Sequence, residues 1–360
     1  TSTVTGMVDG AYVFMWSITN GVCVVSFSTV TYTIFNQPTV LDAGPDQSIC
    51  NSASSTMSGN VPGVGFGTWT LISGPNIPTI TSVNDPATTI TGMINGIYLF
   101  GWRITNGPCS TPVDSIQIIN YDLPTTSNAG SNQDLCSVTS VTLNANAPVI
   151  GIGAWSTISG PNIPFITNAA IANTTVTGMI DGIYVFEWVI TNGPCAPSAS
   201  TVQITIYNSP TILDAGPDQN LCNVNAIGMA GNTPGVGTGV WTQLSGPIAS
   251  VIADPNDPAT SVTGLIAGVY FFGWSISNGV CVTPVDTIVV TIYDLPTTAV
   301  AGADQSLCNV DSISLAANNV LSGFGSWVTL SGPNTPVILD PTNESSPVST
   351  MIAGNYVFVW

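Results

Sequence analysis

Large apolar residues alternate with other residues along the segment from Tyr98 to Ile104, which reads Tyr-Leu-Phe-Gly-Trp-Arg-Ile. A period of two is typical of a β-strand with one buried face. Further strands are predicted where apolar residues stand between clusters of Gly, Pro, Asn and Asp. They are marked by Trp69, by Ile90 and Met93, by Ile116 and Ile118, and by Val141 and Leu143. No segment has the period of a helix, so the pattern predicts an all-β protein.

The same pattern recurs along the chain with a fixed period of 86 residues. The tryptophans form two series, Trp16, Trp102, Trp188, Trp274 and Trp360, and Trp69, Trp155, Trp241 and Trp327. The cysteines form two more, Cys23, Cys109, Cys195 and Cys281, and Cys50, Cys136, Cys222 and Cys308. About seven short strands per period, with turn residues about every 8 to 12 positions, predict tandem antiparallel β-sandwiches with an immunoglobulin-like layout.

A proline that follows a strand sets the predicted boundaries, because proline cannot continue a strand ladder. These prolines are Pro38, Pro124, Pro210 and Pro296. Complete sandwiches are therefore expected at residues 38–123, 124–209 and 210–295. Residues 1–37 are expected to hold the last three strands of a repeat, and residues 296–360 a repeat without its last strand. Because an isolated half-sandwich exposes its apolar face, we expect neighbouring chain, covalently continuous or in an assembly, to complete both ends.

The aromatic residues of the complete repeats are predicted to fill the core. The stripe of Tyr98, Phe100 and Trp102 has the composition of a sugar-binding platform, but its alternation places it on the buried face. The predicted core tryptophans are Trp69, Trp102, Trp155, Trp188, Trp241 and Trp274.

Composition excludes several classes of function. Charged residues make up 6% of the chain, which has one Arg, no Lys, no His and a formal net charge of −18. A single cation cannot neutralise a phosphate backbone or dock on anionic lipid, so nucleic acid is not an expected partner. The chain has no run of 18 apolar residues, so no membrane-spanning segment is predicted. Without His, no His-based nucleophile system can form, and no acidic pair recurs outside turns, so no catalytic residues are predicted and the chain is not expected to be an enzyme.

Several short runs within each repeat form a combined signature. In one repeat they are Ala43-Gly44-Pro45-Asp46-Gln47, Trp69-Thr70, Ser73-Gly74-Pro75, Thr91-Gly92-Met93 and Asn106-Gly107-Pro108-Cys109. Together they resemble the PKD-like repeats of large Bacteroidetes surface adhesins, including those tied to gliding motility. In two other repeats the opening run differs and reads Ala129-Gly130-Ser131-Asn132-Gln133 and Ala301-Gly302-Ala303-Asp304-Gln305. The resemblance implies an extracellular, cell-surface stalk or filament and identifies no ligand.

Eight cysteines without a CxxC pair predict disulfides formed in an oxidising compartment. In a sandwich, Cys50 is expected at the end where the chain leaves and Cys109 at the end where it enters. The two ends are separated by roughly 26 Å of strand, whereas a disulfide needs Cα atoms within about 7 Å. Repeats joined head to tail instead bring a cysteine of one repeat to the next, and this is the pairing we favour. It joins Cys50 to Cys195 and Cys136 to Cys281.

Two alternatives to this pairing stay open at the level of sequence. One is a bond within each repeat, which would join Cys50 to Cys109, Cys136 to Cys195 and Cys222 to Cys281. The other is that cysteines are free or pair between chains. Under the favoured pairing, Cys23, Cys109, Cys222 and Cys308 have no partner among these 360 residues.

Calcium is the one cofactor that the sequence leaves open. Asp42 and Asp46 lie at a predicted junction, where cadherin-like repeats place calcium. Their equivalents in other repeats are Asn128, Asp214 and Val300, and Asn132, Asp218 and Asp304. A site needed at every junction would keep its carboxylates, so turn and capping roles are favoured, with Asp214 and Asp218 the best remaining candidates for calcium.

Three hydroxyl residues are candidates for O-glycosylation. Ser115, Thr287 and Ser312 each follow an Asp and precede an Ile. This is similar to the Asp-Ser/Thr-aliphatic sites at which the same bacterial group attaches O-glycans.

The sequence thus predicts a stiff extracellular rod, a stalk or filament in which disulfides fix each repeat to the next. Its expected partners are neighbouring repeats and other copies in a filament. Two alternatives are that the repeats bind glycans or surfaces through edge loops, and that the chains polymerise by exchanging strands.

Overall fold

The computed structural model describes residues 2–360. These residues form β-strands and no helix. Residues 2–37 form β1 (Gly10–Ile18) and β2 (Ser26–Ile34). Residues 38–123 form β3 (Gln47–Cys50), β4 (Ser54–Thr56), β5 (Phe66–Ser73), β6 (Thr79–Ile80), β7 (Thr89–Thr91), β8 (Gly96–Asn106), β9 (Cys109–Ser110) and β10 (Asp114–Tyr121). Residues 124–209 form β11 (Gln133–Cys136), β12 (Ser140–Asn144), β13 (Ile152–Ser159), β14 (Phe165–Ile166), β15 (Asn173–Thr177), β16 (Gly182–Thr191) and β17 (Ser198–Tyr207).

The remaining strands repeat this order. Residues 210–295 form β18 (Gln219–Cys222), β19 (Ala226–Gly228), β20 (Thr238–Ser245), β21 (Val251–Ile252), β22 (Ser261–Thr263), β23 (Gly268–Asn278), β24 (Cys281–Val282) and β25 (Asp286–Tyr293). Residues 296–360 form β26 (Ile313–Ser314), β27 (Val328–Ser331), β28 (Val337–Ile338), β29 (Pro347–Ser349) and β30 (Val357–Val359).

Each repeat is built from two sheets. In residues 38–123 one sheet has the order β3-β10-β8-β5, with β9 paired to β8, and the other has the order β4-β7-β6. Residues 210–295 repeat both sheets with β18-β25-β23-β20 and β19-β22-β21. Residues 124–209 have β17-β16-β13 and β12-β15-β14 in the same arrangement. The chain therefore has the all-β, tandem immunoglobulin-like fold that the sequence predicts.

One pairing departs from the expected antiparallel pattern. β3 lies parallel to β10, and β18 lies parallel to β25, whereas β8 and β23 lie antiparallel to the same two strands, β10 and β25. The first strand of a repeat runs beside the last strand before the chain crosses to the opposite sheet, so the two ends of the repeat share one edge. Cys50 is consequently level with Tyr121 at the end of β10.

The two flanking segments are incomplete sandwiches. Residues 2–37 form two strands rather than the three expected, since residues 3–5, the equivalent of β7, form no strand. The apolar side chains of β1 and β2 are exposed, and Trp16 has 72% of its surface accessible. Its equivalents Trp102, Trp188 and Trp274 are fully buried.

The contacts between residues divide the chain into two compact units. One holds residues up to Gln133 together with Val138–Ile206, and the other holds Asp134–Ser137 together with Tyr207–Trp360.

Paired tryptophans fill the core between the sheets. All six predicted core tryptophans are buried, and the stripe of Tyr98, Phe100 and Trp102 is fully covered. The rings of Trp69 and Trp102 lie 4.8 Å apart between centroids. The same pair recurs in Trp155 with Trp188 at 5.2 Å and in Trp241 with Trp274 at 5.0 Å. Offset and tilted ring pairs of this kind add roughly 0.5–1.5 kcal/mol beyond the area they bury.

In each pair, a glycine lies beneath the second tryptophan and makes room for the two rings. At Gly239, which lies in β20, an added Cβ would overlap the six-membered ring of Trp274. Gly67 and Gly153 stand in the same way beneath Trp102 and Trp188. The close approach of strand to ring therefore requires glycine at this position of the repeat.

We expect Gly239→Ala to lower the free energy of unfolding by about 2 kcal/mol, because the methyl group forces the Trp274 ring out of a filled core. Gly228→Ala is the matched control, since Gly228 is an exposed strand residue of the same repeat with no atom within 4 Å of an added Cβ. Denaturant unfolding followed by tryptophan fluorescence measures both. Equal stability of the two variants would contradict this account of the core.

Candidate functional site: the joint between repeats

The site predicted from the cysteines lies where one repeat meets the next, and each such joint has two halves. The docking half is the aromatic residue that ends the last strand, the residue after it, and the cysteine that ends the first strand. In residues 38–123 these are Tyr121, Asp122 and Cys50. The parallel register places Cys50 opposite Tyr121, and the backbone N–H of Asn51 donates a 2.8 Å hydrogen bond to the Tyr121 carbonyl. The docking half is therefore fixed by the sheet itself.

The hairpin half is the turn Asn192-Gly193-Pro194-Cys195, which follows β16 in the next repeat. The backbone N–H of Cys195 closes the turn with a 3.1 Å hydrogen bond to the Asn192 carbonyl. Gly193 has a φ of +54°, in the left-handed region that glycine occupies without steric cost. The turn thus holds its asparagine, glycine and cysteine in one rigid arrangement.

Three contacts join the two halves. The Tyr121 ring packs against Gly193 so closely that a Cβ there would come 2.6 Å from the ring. The Asn192 Nδ2 donates a 2.8 Å hydrogen bond to the Asp122 carbonyl. A disulfide joins Cys195 to Cys50, whose Cα atoms are 5.0 Å apart. The joint therefore combines an apolar contact, a polar contact and a covalent bond.

The next joint repeats this arrangement. Tyr207 packs on Gly279, and the Asn278 Nδ2 donates a 3.0 Å hydrogen bond to the Asn208 carbonyl. Cys136 is bonded to Cys281 with Cα atoms 5.2 Å apart. Both disulfides span 145 residues, which is the separation that the favoured pairing requires.

A third joint has the same non-covalent contacts without the bond. The Phe35 ring packs on Gly107, and the Asn106 Nδ2 donates a 3.0 Å hydrogen bond to the Asn36 carbonyl. Cys109 is half-buried and free. The aromatic and asparagine contacts therefore position the hairpin without help from a disulfide.

The alternative pairing within each repeat is not formed. Cys109 pairs with Asn106 in the hairpin at the start of β10, whereas Cys50 lies beside Tyr121 at its far end. The same separation applies to Cys136 with Cys195 and to Cys222 with Cys281, so none of the three bonds exists. The free cysteines among residues 2–360 are Cys23, Cys109, Cys222 and Cys308.

Each disulfide closes a long loop, which restricts the unfolded chain. For a loop of about 145 residues, the chain-entropy model gives a stabilisation on the order of 5 kcal/mol. The two loops also overlap, because residue 136 lies inside the loop from Cys50 to Cys195. Unfolding of one repeat therefore does not release it from its neighbours.

The candidate calcium ligands accept hydrogen bonds from the backbone. Asp214 Oδ1 accepts a 2.9 Å bond from the Gly216 N–H, and Asp218 Oδ1 accepts a 2.8 Å bond from the Val289 N–H. Asn132 Oδ1 makes the corresponding bond to the Gln203 N–H at 2.8 Å. The position needs a side-chain oxygen rather than a charge, which explains why Asp and Asn exchange there. No group of three metal-binding side chains occurs in the part of the chain that the structure describes.

The candidate glycosylation residues all lie on the surface. Ser115, Thr287 and Ser312 are exposed. The backbone N–H groups of Ser115 and Thr287 each donate a 3.0 Å bond to the carboxylate of the preceding Asp. Glycosylation of these residues stays a prediction.

Comparisons with known proteins give distant relatives. No protein-family model matches the chain. The dyslexia-associated protein KIAA0319 of Homo sapiens is 25% identical over 242 residues, which are 62% of this chain and 23% of that protein. The chain therefore corresponds to less than a quarter of that protein's length. Residues 2–360 contain no helix that could cross a membrane.

Similar solved structures include chains of tandem domains and one single PKD domain. An I-band fragment of titin is 14% identical with a TM-score of 0.44, and the match covers 73% of this chain and 100% of the fragment. The N-terminal eight Ig domains of the Down syndrome cell adhesion molecule are 11% identical with a TM-score of 0.39, over 94% of this chain and 49% of that one. The PKD domain of the KIAA 1837 protein is 27% identical with a TM-score of 0.22, over 23% of this chain and 86% of that domain.

The contact between ring and glycine gives the first prediction for the joint. Gly193→Ala should lower the equilibrium constant for closing the Cys50–Cys195 disulfide in a glutathione buffer about tenfold, because the methyl group separates the hairpin from Tyr121. Gly178→Ala is the matched control, since Gly178 also has a positive φ but has nothing within 4 Å. Both variants carry the same kind of backbone strain. If the two variants close the bond equally well, the ring contact does not position the cysteines.

The second prediction concerns Asp218. Asp218→Asn should change the free energy of unfolding by less than about 0.5 kcal/mol, because the amide oxygen still accepts from Val289, whereas Asp218→Ala should cost about 1 kcal/mol. Thermal unfolding with calcium and with a chelator measures both effects. A calcium-dependent rise in the melting temperature that both variants abolish would show instead that Asp218 binds the ion.

Proposed function

We propose that this chain is the structural stalk or filament of an extracellular bacterial surface adhesin, of the kind linked to gliding motility. Tandem immunoglobulin-like domains with two disulfides fit a structural or adhesive extracellular role. The resemblance to PKD-like adhesin repeats supports the cell-surface assignment. In this proposal the chain has no catalytic activity and works mechanically, holding a binding element away from the cell.

The observation that carries the proposal is the doubled connection at the two disulfide-bonded joints. Tyr121 and Asp122 lead directly into the next repeat, and the Cys50–Cys195 bond makes a second covalent link beside them. Two attachments in parallel remove the hinge freedom that a single linker allows. The asparagine hydrogen bond and the packed ring oppose the bending that remains.

The overlapping loops also limit how far the chain can be stretched. The shortest covalent path from Cys50 to Cys281 passes through both disulfides and only the backbone of residues 136–195. Fully extended, that path is about 200 Å long, whereas the backbone of residues 50–281 would reach about 800 Å. A stalk built in this way lengthens far less under tension when a repeat unfolds than one without the disulfides.

Single-molecule force spectroscopy tests the proposal. When the chain is held at its two ends and pulled to full extension, reduction of the disulfides should lengthen it by about 600 Å. Cys50→Ser with Cys136→Ser should show the longer extension without reductant. Cys109→Ser with Cys222→Ser is the matched control and should behave like the unmodified chain, because these two cysteines are free. Equal extension with and without reductant would show that the two disulfides carry no tension.

A further inference from the structure

The hairpin half of every joint contains the dipeptide Asn-Gly. The chain has five such pairs, and one of them, Asn95-Gly96, lies outside the hairpins. The other four occupy the same place in the turn and are Asn20-Gly21, Asn106-Gly107, Asn192-Gly193 and Asn278-Gly279. An asparagine followed by glycine cyclises readily onto the next peptide nitrogen, because glycine has no side chain to obstruct the attack. The hairpins therefore hold most of the chemically labile asparagines of the chain.

The contacts of the joint require both members of this pair. A Cβ on Gly193 would come 2.6 Å from the Tyr121 ring, and the φ of Gly193 is +54°. The Asn192 Nδ2 supplies the donor for the 2.8 Å hydrogen bond to the Asp122 carbonyl. An aspartate at position 192 would have the same length, but its ionised carboxylate only accepts hydrogen bonds. A closed joint thus depends on the dipeptide that is most easily modified.

The closed joint also restrains the reaction. For cyclisation, the Asn192 side chain must turn toward the Gly193 backbone nitrogen, whereas in the closed joint its amide is bound to the preceding repeat. The Tyr121 ring lies against Gly193 and limits the movement of the same peptide. Gly193 is nevertheless exposed and Asn192 only half-buried, so water reaches the turn. Opening of the joint releases both restraints at once.

We propose that Asn192 and Asn278 are sites of spontaneous deamidation, that a closed joint suppresses this reaction while an open joint permits it, and that the product weakens the joint permanently. Deamidation then leaves a covalent record of each joint that has opened. The inference goes beyond the proposed function, because it depends on the contacts of the joint and not on what the chain is attached to.

The reaction needs only water. The Gly193 nitrogen attacks the Asn192 Cγ, so a bond from nitrogen to Cγ forms and the bond from Cγ to Nδ2 breaks. The nitrogen gives up its proton, and the side-chain amide leaves as ammonia. Water then opens the cyclic imide at either of its two carbonyls, which leaves aspartate or isoaspartate.

Both products oppose docking of the hairpin. A carboxylate at position 192 places an acceptor opposite the Asp122 carbonyl, which is itself an acceptor, so the hydrogen bond is lost. Isoaspartate also adds a carbon to the main chain of the turn that positions Cys195. With one Arg and no Lys in the chain, the added negative charge has almost no cationic partner.

Peptide mapping of the full chain with its disulfides intact tests the proposal. The protein is incubated in mildly alkaline buffer, and mass spectrometry follows the replacement of the amide by a carboxyl group at Asn192 and at Asn278. Tyr121→Ala should raise the rate at Asn192 about fivefold and leave Asn278 unchanged, because it removes the ring from one joint only. Tyr207→Ala is the matched variant and should give the reverse result.

The crossed design separates opening of one joint from unfolding of the whole chain, which raises both rates. Circular dichroism checks that each variant keeps its strands. If folded variants show no difference between Asn192 and Asn278, the joint does not control the reaction and the proposal is wrong. The unmodified chain gives a second measurement, since Asn192 should react at least about tenfold more slowly in the folded, oxidised protein than in urea with reductant. Equal rates there would also refute the proposal.

The effect of the product is measured with Asn192→Asp in a glutathione buffer. This variant should lower the equilibrium constant for closing the Cys50–Cys195 disulfide about tenfold, because it removes a hydrogen bond and adds a charge at the joint. The Cys136–Cys281 bond of the same molecule should close as in the unmodified chain.

Asn168→Asp is the matched control, since it adds the same charge to the same repeat away from the joint. The Asn168 Oδ1 accepts a 3.0 Å bond from the Ala170 N–H, and the equivalent Asp254 Oδ1 accepts one of 2.9 Å from the Asn256 N–H. The control should therefore close the disulfide normally. If the two variants behave alike, the inference fails, whereas the proposed stalk function is decided separately by the extension of fresh, undeamidated protein.

Discussion

The packing of one aromatic ring against one glycine is the constraint on which the joint depends. Tyr121 ends the last strand of a repeat, and Gly193 must lie flat against its ring for Asn192 and Cys195 to reach their partners. The contact also forms between Phe35 and Gly107, where no disulfide is present. The ring contact therefore brings the hairpin and the docking half together whether or not a disulfide joins them.

The geometry of the repeats accounts for which cysteines are paired. A disulfide forms between thiols that are held close together, and the sheet holds Cys50 one strand length away from Cys109. The parallel pairing of β3 with β10 brings the first strand's cysteine to the end of the repeat where the next hairpin docks. The fold of each repeat thus sets which cysteines lie close enough to pair.

The sequence predicts most of this architecture because its signals are periodic and repeated. Alternation from Tyr98 to Ile104 defines a core strand, and the 86-residue period places its copies without any knowledge of the fold. The separation of Cys50 and Cys109 by a strand length follows from the strand order alone. The parallel pairing of β3 was missed, because pairing direction leaves no trace in the alternation of a four-residue strand.

The contacts that make the joint specific were also beyond sequence reasoning. The Asn-Gly pair of each hairpin indicates a turn, but nothing in it shows that the asparagine amide reaches the carbonyl after Tyr121. Asp218 and Asn132 occupy equivalent positions, and this exchange favours a hydrogen-bond acceptor over a metal ligand, because an acceptor tolerates the loss of charge better.

The small number of charged residues agrees with the interactions that stabilise this chain. With one Arg and no Lys, the carboxylates have almost no cationic partners, so any that are ordered must accept from neutral donors. Asp46, Asp114 and Asp218 do so by bonding to backbone N–H groups of neighbouring strands and turns. Hydrogen bonds from backbone N–H groups, aromatic packing and disulfides depend less on salt than surface ion pairs, which weaken as ionic strength rises. A chain stabilised in this way can keep its joints closed in surroundings whose salt content it does not control.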